Sequence, residues 1–184
     1  MEIKPTSIKG LVEIIPKVFP DPRGWFYEFY KDVSFSEIDS SVKFVQENIS
    51  FSKKGVIRGL HLQLAPFAQA KLVSVIKGKV LDVVVDMRKG SETFGAVFTC
   101  FLDDEKHNML YIPEGFAHGF SALEDTHFFY KCSSQYNPQF ETGIIWNDQR
   151  LKIDWLNSSP ILSEKDQRLP TMEELLVKSV ISPE

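Results

Sequence analysis

"AKLVSVIKGKVLDVVVDM", residues 70–87, decides the fold class. Two runs rich in valine, isoleucine and leucine flank the turn signal "KGK" at 77–79. β-Branched side chains are stiff about χ1 and suit a pleated strand better than a helix. Residues 70–76 and 79–87 therefore read as two strands joined at Gly78. Because side chains along a strand alternate between faces, Lys71, Val73 and Val75 share one face. Asp82, Val84 and Asp86 likewise alternate with Leu81, Val83 and Val85. A polar face opposite an apolar one fits a barrel whose interior binds something, and fits an ordinary solvent face equally well.

The same reading extends in both directions. "LVEIIPKVF" (11–19) is a first strand interrupted at Pro16, "PDPRG" (20–24) a turn, and "WFYEFY" (25–30) a second strand. "VKFVQENISFS" (42–52), "GVIRGLHLQ" (55–63), "AVFTCFL" (96–102) and "NMLYIP" (108–113) continue the series. "HGFSAL" (118–123) and "THFFYKCSSQY" (126–136) complete it. "VSFSEID" (33–39) suggests a short helix with Ser34 as its cap and Glu37 three residues on. Only "TMEELLVKSV" (171–180) has clear helical character. Roughly ten short, closely spaced strands favour an all-β sandwich or jelly roll over any α/β fold. With no linker long or polar enough to divide the chain, residues 1–184 are predicted to form one domain.

Composition narrows the function classes. Hydrophobic residues at 43% and charged residues at 25% belong to an ordinary soluble globular protein. A net charge of −4 without a block of like charges argues against nucleic acid as a partner. Cys100 and Cys132 form neither a disulfide framework nor a Cys-x-x-Cys pair, which points to a reducing compartment. "MEIKPTSIKG" lacks the apolar run of a leader, and no segment approaches the ~18 apolar residues of a membrane span. A cytoplasmic protein without a membrane partner is expected.

"VIRGLHLQ" (56–63) carries the first chemical signal, because arginine and histidine stand inside an otherwise apolar strand. His61 and Gln63 share a face, opposite Leu60, Leu62 and Leu64. Strict alternation places Arg58 opposite His61, unless a bulge at Gly59 turns both toward one cavity. A metal is disfavoured, since Gln63 stands where the second member of a His-x-His pair would be. Gly-x-Ser-x-Gly and Gly-x-Gly-x-x-Gly are missing, and neither cysteine has a local histidine. Metal-free proton transfer survives, needing a base, an acid and a cation for developing negative charge. His61, Lys71, His118, Tyr130 and Asp166 are its candidates, whereas His107 and His127 read as surface or packing residues.

Seven segments in order then resemble the dTDP-4-dehydrorhamnose 3,5-epimerase family over roughly residues 10 to 170. They are "PKVFPDPRGWFYEFY", "FVQENIS", the run from "GVIRGLHLQ" through "SETFG", "LYIPEGFAHGF", "FFYKCSSQYNP", "GIIWND" with "IDW", and "PILSEKD". The resemblance implies a cupin-type jelly-roll (double-stranded β-helix) with short peripheral helices. It also implies a homodimer and no metal or organic cofactor. The implied substrate is a dTDP-4-keto-6-deoxyhexose, dTDP-4-dehydro-6-deoxy-D-glucose, epimerised at C3 and C5 on the route to dTDP-L-rhamnose. By motif, His61 is the base, Asp166 orients it, Lys71 stabilises the enolate and Tyr130 returns a proton from the opposite sugar face. Arg58 and His118 are implied at the sugar and phosphate end, and Gln46, Glu47, Asn48, Glu141 and Lys165 in the same pocket. Tyr136 reads as an aromatic that stacks on the nucleotide or sugar, or as a simple packing residue. Arg23 and Glu28 belong to an N-terminal arm, about residues 1–30, which in relatives reaches the neighbouring subunit's site.

Departures from the family pattern are Leu62, Gln135 and Ala70, where an aromatic, a second aromatic and a glycine are frequent. They leave the proton-transfer residues untouched and bear on nucleotide contacts and on whether both carbons are epimerised. Alternatives are a mono-epimerase acting at C3 or C5 only, a sugar-nucleotide ketoisomerase on the same barrel, and a non-catalytic sugar-binding cupin.

Overall fold

The computed structural model describes residues 1–177, and the glycine between residues 77 and 79 is where the chain changes sheets. The described residues begin with strands β1 (Glu2–Pro5), β2 (Val12–Ile15), β3 (Phe19–Asp21) and β4 (Gly24–Phe26). Then come β5 (Gln46–Ser52), β6 (Ile57–Gln63), β7 (Lys71–Lys77), β8 (Lys79–Asp86) and β9 (Val97–Asp103). The last are β10 (Met109–Ile112), β11 (Phe116–Ala122), β12 (Thr126–Cys132) and β13 (Glu141–Gly143). Short helices α1 (Asp32–Phe35), α2 (Glu164–Gln167) and α3 (Met172–Val177) lie outside the sheets. One sheet runs β1-β2-β10-β7-β12-β5 and the other β13-β6-β11-β8-β9. Neighbours within each are antiparallel. Packed face to face, they make the expected cupin-type jelly-roll.

Gly78 explains how β7 and β8 can be consecutive yet unpaired. It adopts φ +90°, and a Cβ there would lie 2.4 Å from the Asp125 carbonyl oxygen. Glycine alone tolerates both demands. "KGK" is thus a corner between sheets, not a hairpin turn.

Period-2 alternation then sorts three apolar layers. Val73 and Val75 from β7 meet Val80 and Val84 from β8 between the sheets, with Leu102, Leu110, Phe120 and Phe128. Leu81, Val83 and Val85 face the other way, with Ile57, Leu60 and Leu62, beneath Ile144, Leu151, Trp155, Met172 and Leu175. On the far side, Leu72, Met109 and Tyr111 are covered by Phe35, with Phe29, Tyr30 and Phe44 against them. Each fully buried aliphatic or aromatic side chain stabilises the fold by roughly 1.5–3 kcal/mol. Both faces of β8 are covered, so neither is the ordinary solvent face that alternation also allowed. Asp82 and Asp86 therefore share the interior, and a buried carboxylate there needs partners. Asp86 accepts from the Arg88 guanidinium and the Ser91 and Thr93 hydroxyls.

Several sequence expectations shift. "WFYEFY" leaves the sheet after Phe26, because Tyr27 stacks on His107 and Phe29 meets Phe129 edge-on. α1 starts at Asp32 with Lys31 as its N-cap and no side-chain cap bond, so Ser34 lies inside the turn. β1 and β13 escaped detection because three or four residues are too few to display a period. α2, at four residues, is likewise too short for a helical period to show in the sequence. Of the helix expected over 171–180, Met172–Val177 is helical and residues 178–180 lie outside the described residues.

The bulge expected at Gly59 is present. β6 pairs with β11 through His61 with His118 and Arg58 with Phe120, three steps on one strand against two on the other. Ile57 and Leu60 consequently face the same outer core, and Arg58 and His61 the opposite side. Gly59 has φ +112°, and a Cβ there would sit 2.6 Å from Gly119 Cα and 2.7 Å from the His118 carbonyl oxygen. Gly59→Ala is therefore expected to cost at least about 1–3 kcal/mol from backbone conformation alone. Urea denaturation checks it: the midpoint should fall with an unchanged m-value, and an unchanged midpoint would refute the close-approach account.

Candidate active site

A cleft of about 250 Å³ opens between the two sheets at the end where the interior turns polar. β6 supplies Arg58 and His61, β7 Lys71, β11 His118 and β12 Tyr130. Tyr136, Glu141 and Lys165 line its mouth. A neighbouring cavity of about 330 Å³ shares His61, Lys71 and Tyr130 and adds Gln46, Asn48 and Cys132. His61 thus rises from the five-stranded sheet, and Lys71 and Tyr130 from the six-stranded sheet facing it.

His61 does not stand alone. Its Nε2 lies 2.5 Å from Asp166 Oδ1, which leaves Nδ1 as the other ring position. Asp166 reaches β6 from α2, and the residue is only 4% exposed. Burial pushes that carboxyl up, but bonds from His61 and Ser163 and the nearby Lys165 charge outweigh it and hold it below the ordinary 3.8. Ser163 Oγ donates to Asp166 Oδ2 at 2.8 Å and accepts the Asp166 N–H at 3.1 Å.

Two other groups are tuned by the same interior. Burial pushes the Lys71 ammonium below its ordinary 10.5, against the opposing pull of Cys132, Glu141 and Asp82. Burial pushes the Tyr130 phenol above its ordinary 10.0, so it holds its proton at neutral pH. On the β11 wall, His118 Nε2 lies 2.8 Å from Asp82 Oδ2, and both residues are buried.

At the mouth, Glu141 accepts from the Tyr136 hydroxyl at 2.6 Å and pairs with the Lys165 ammonium. Burial pushes the Glu141 carboxyl up, and these partners bring it below its ordinary 4.5. Gln46 Oε1 accepts the Tyr136 N–H at 2.8 Å, and Gln46 Nε2 donates to Asn48 Oδ1 at 3.1 Å. Arg58 is held by Ser52 Oγ at 2.9 Å and the Phe51 carbonyl at 3.0 Å.

Three expected site residues are not brought to this cleft. Glu47 alternates with Gln46 and Asn48, points to the outer face of β5 and pairs with Lys131. Arg23 lies on the β3–β4 hairpin and forks onto Asp21. Glu28 lines a separate apolar cavity of about 280 Å³ among Phe19, Phe26, Phe29 and Phe35. Among the departures, Ala70 joins the layer beneath Phe35, and Leu62 packs with the outer core while also lining the neighbouring cavity. His107 is buried, stacked on Tyr27 and tilted against Trp25, in keeping with a packing role.

Sequence reading missed Asp82, Ser163 and the loop role of Gln63. Asp82 shares a face with Val80 and Val84, and that alternation was its available signal. Ser163 stands three residues before Asp166 in "SEKD", a capping-box spacing. Gln63 donates to the Phe67 and Gln135 carbonyls and accepts the Asn137 N–H, strapping the loop that carries Tyr136. Among the described residues, no group of three or more His, Cys, Asp or Glu is arranged to hold a metal ion.

A family model described as dTDP-4-dehydrorhamnose 3,5-epimerase matches residues 5–174. The chain is 44% identical to the dTDP-4-dehydrorhamnose 3,5-epimerase of Escherichia coli (strain K12), over 99% of this chain and 100% of that one. Its structure resembles the dTDP-6-deoxy-D-glucose-3,5-epimerase of Legionella pneumophila Philadelphia 1, solved with dTDP-4-keto-L-rhamnose. There the TM-score is 0.93 and identity 41%, covering 99% of this chain and 97% of the other. A 4-keto-6-deoxy sugar epimerase from the novobiocin cluster of Streptomyces spheroides superposes with TM-score 0.95 at 38% identity, covering 98% and 92%.

The lowered Asp166 carboxyl makes stability depend on pH in one direction. Its contribution is complete above the unfolded-chain value near 3.8 and is lost as pH falls through the lower folded value. Asp166→Asn is expected to destabilise by roughly 1–3 kcal/mol at neutral pH. That difference should shrink in urea titrations as pH is lowered below 3.8, and a gap that widens instead would contradict the dyad electrostatics.

Proposed function

This chain belongs to the dTDP-4-dehydrorhamnose 3,5-epimerase family, and from that premise we propose how its cleft inverts two carbons of one sugar. The substrate is dTDP-4-dehydro-6-deoxy-D-glucose, and epimerisation at C3 and C5 yields dTDP-4-dehydro-L-rhamnose. Both carbons neighbour the C4 ketone, so loss of either proton gives an enolate whose charge rests on the C4 oxygen. One observation carries the reading: His61 and Tyr130 stand on opposite sheets across the cleft. Inversion demands that arrangement, because a base reprotonating its own face restores the starting configuration.

His61 takes the α-proton, and Asp166 holds the ring in its tautomer and stabilises the imidazolium that forms. The Lys71 ammonium stabilises the enolate oxygen, and its place in a water-poor interior strengthens that effect. Tyr130, kept protonated by burial, delivers a proton from the other face. The imidazolium and the tyrosinate then exchange with solvent, so atoms and charge balance over each inversion. No metal or organic cofactor enters this scheme. Arg58 and His118 serve the sugar and phosphate end, where a guanidinium fork suits phosphate oxygens. Gln46, Asn48, Tyr136, Glu141 and Lys165 form the remaining contacts.

A homodimer accounts for the residues left outside the cleft. Trp25 and Phe26 on the β3–β4 hairpin are 59% and 68% exposed, and Ile49 and Phe51 on edge strand β5 are 68% and 50% exposed. Exposed large apolar side chains on both the hairpin and the edge strand suit a second copy of the chain. In that assembly the N-terminal arm brings Arg23 and Glu28 to the neighbouring site, and Glu47 lies near the contact. Two unpaired cysteines suit a cytoplasmic enzyme, and no helix among the described residues is long and apolar enough to cross a membrane.

Turnover in deuterated solvent, followed by NMR, tests the chemistry: label is expected at both C3 and C5, and label at one carbon alone would overturn double epimerisation. His61→Ala and Tyr130→Phe should each slow turnover at least ~100-fold, and near-wild-type rates would remove them from the mechanism. Sedimentation tests the assembly, where wild type should run as a dimer and Phe51→Asp as a monomer. A monomeric wild type would sink the interface.

A further inference from the structure

We propose that Ser163 is a positioning residue of the catalytic dyad, its hydroxyl orienting the Asp166 carboxylate toward His61. The proposal rests on the reading of His61 as base and Asp166 as its partner. The geometry is a closed pair of bonds between two residues three apart. Ser163 accepts the Asp166 N–H through Oγ and returns its own O–H to Asp166 Oδ2. Asp166 Oδ1 is thereby left to meet His61 Nε2. Each carboxylate oxygen has one assigned donor, in a residue almost wholly withdrawn from water.

An ordinary capping box does something different. There the third residue is Glu or Gln, whose side chain reaches back to the N-cap backbone N–H. Asp166 is one methylene shorter and takes the serine hydroxyl instead, which frees its second oxygen to cross to β6. A carboxylate turns easily about its terminal torsion, and the hydroxyl removes that freedom. Without it Oδ2 loses the one side-chain donor bonded to it in this buried setting, and the carboxyl binds a proton more readily. The imidazole then loses the group that fixes its tautomer, as when an outer-shell partner of a histidine is lost elsewhere.

Capping and positioning use different halves of one hydroxyl. Capping needs only the oxygen as acceptor, whereas positioning needs the O–H as donor. Threonine keeps both, and alanine and glycine keep neither. Glycine is an N-cap that helices tolerate nearly as well as serine, so Ser163→Gly loses positioning with little loss of capping.

The test measures kcat, KM and the pH profile of kcat/KM for the full-length wild type, Ser163→Ala, Ser163→Gly and Ser163→Thr. His61→Ala and Asp166→Asn serve as controls. Ser163→Ala and Ser163→Gly should lower kcat by roughly tenfold with KM nearly unchanged, the mark of an interaction made in the transition state. Their acid limb should move to higher pH, because the unsupported dyad takes up a proton earlier. Ser163→Thr should restore both. If Ser163→Ala does not fold, Ser163→Gly against Ser163→Thr decides alone. An acid limb unmoved in the folded variants, or a threonine that fails to rescue, overturns the role of Ser163. If the two controls keep wild-type turnover, the dyad reading itself falls, and this proposal with it. Should the controls lose turnover while the Ser163 variants do not, only the role of Ser163 is refuted.

Discussion

Two glycines in contact set the shape of this protein. Gly59 on β6 and Gly119 on β11 lie so close that a Cβ on either would strike the other strand's backbone at about 2.5 Å. That approach accommodates the extra residue on β6, and the extra residue reverses which side chains face inward. Arg58 before the bulge and His61 after it share a cleft only for this reason. His118, paired with His61 across the strands, joins them. The leucines and isoleucine left on the other side complete an outer core beneath the C-terminal segment. That same segment carries Asp166 back to His61. Close packing of two strands thus fixes both the shape of the cleft and the seat of its dyad.

The space between the sheets is divided along its length. One part is filled by valine, leucine and phenylalanine, and the other holds His61, Lys71, His118 and Tyr130. Side chains that titrate in water would be costly here unless each had a partner. Asp82 bonds His118 and Asp166 bonds His61. Glu141 is held by Tyr136 and Lys165. Lys71 and Tyr130, in contrast, are displaced by burial itself, the lysine downward and the tyrosine upward. A cation that sheds part of its hydration and a phenol that keeps its proton therefore face His61 from the opposite wall.

Legibility in the sequence followed the length of each pattern. β6, β7, β8, β9 and β12 are seven or eight residues long, enough for a period of two to be recognised, and each was located to within a few residues. β1 and β13 are too short for that, and "WFYEFY" misled because its rings pack on His107, Phe129 and Phe44 while its backbone pairs with no strand beyond Phe26. Among site residues, His61, Lys71 and Tyr130 stood out as polar groups in apolar runs. Asp82 was visible in its alternation but had no evident partner. Ser163 looked like an unremarked residue of a loop, because its significance depends on a histidine about a hundred positions away. Glu47 faces away from the cleft that Gln46 and Asn48 line, since adjacent residues on a strand face opposite ways.

The sequence by itself determined the strand content, the two-faced alternation of β8, the absence of a His-x-His pair and the polar groups that stand in apolar runs. These are local properties, fixed by side-chain branching, charge and spacing along the chain. Tertiary structure alone decided that "KGK" is a corner between sheets and that both faces of β8 are buried. It also decided that His61 meets Asp166 through Nε2 and that Tyr130 stands on the wall facing His61. Each of those depends on the distance between residues far apart in the chain, which only the closure of two sheets over a common interior can set.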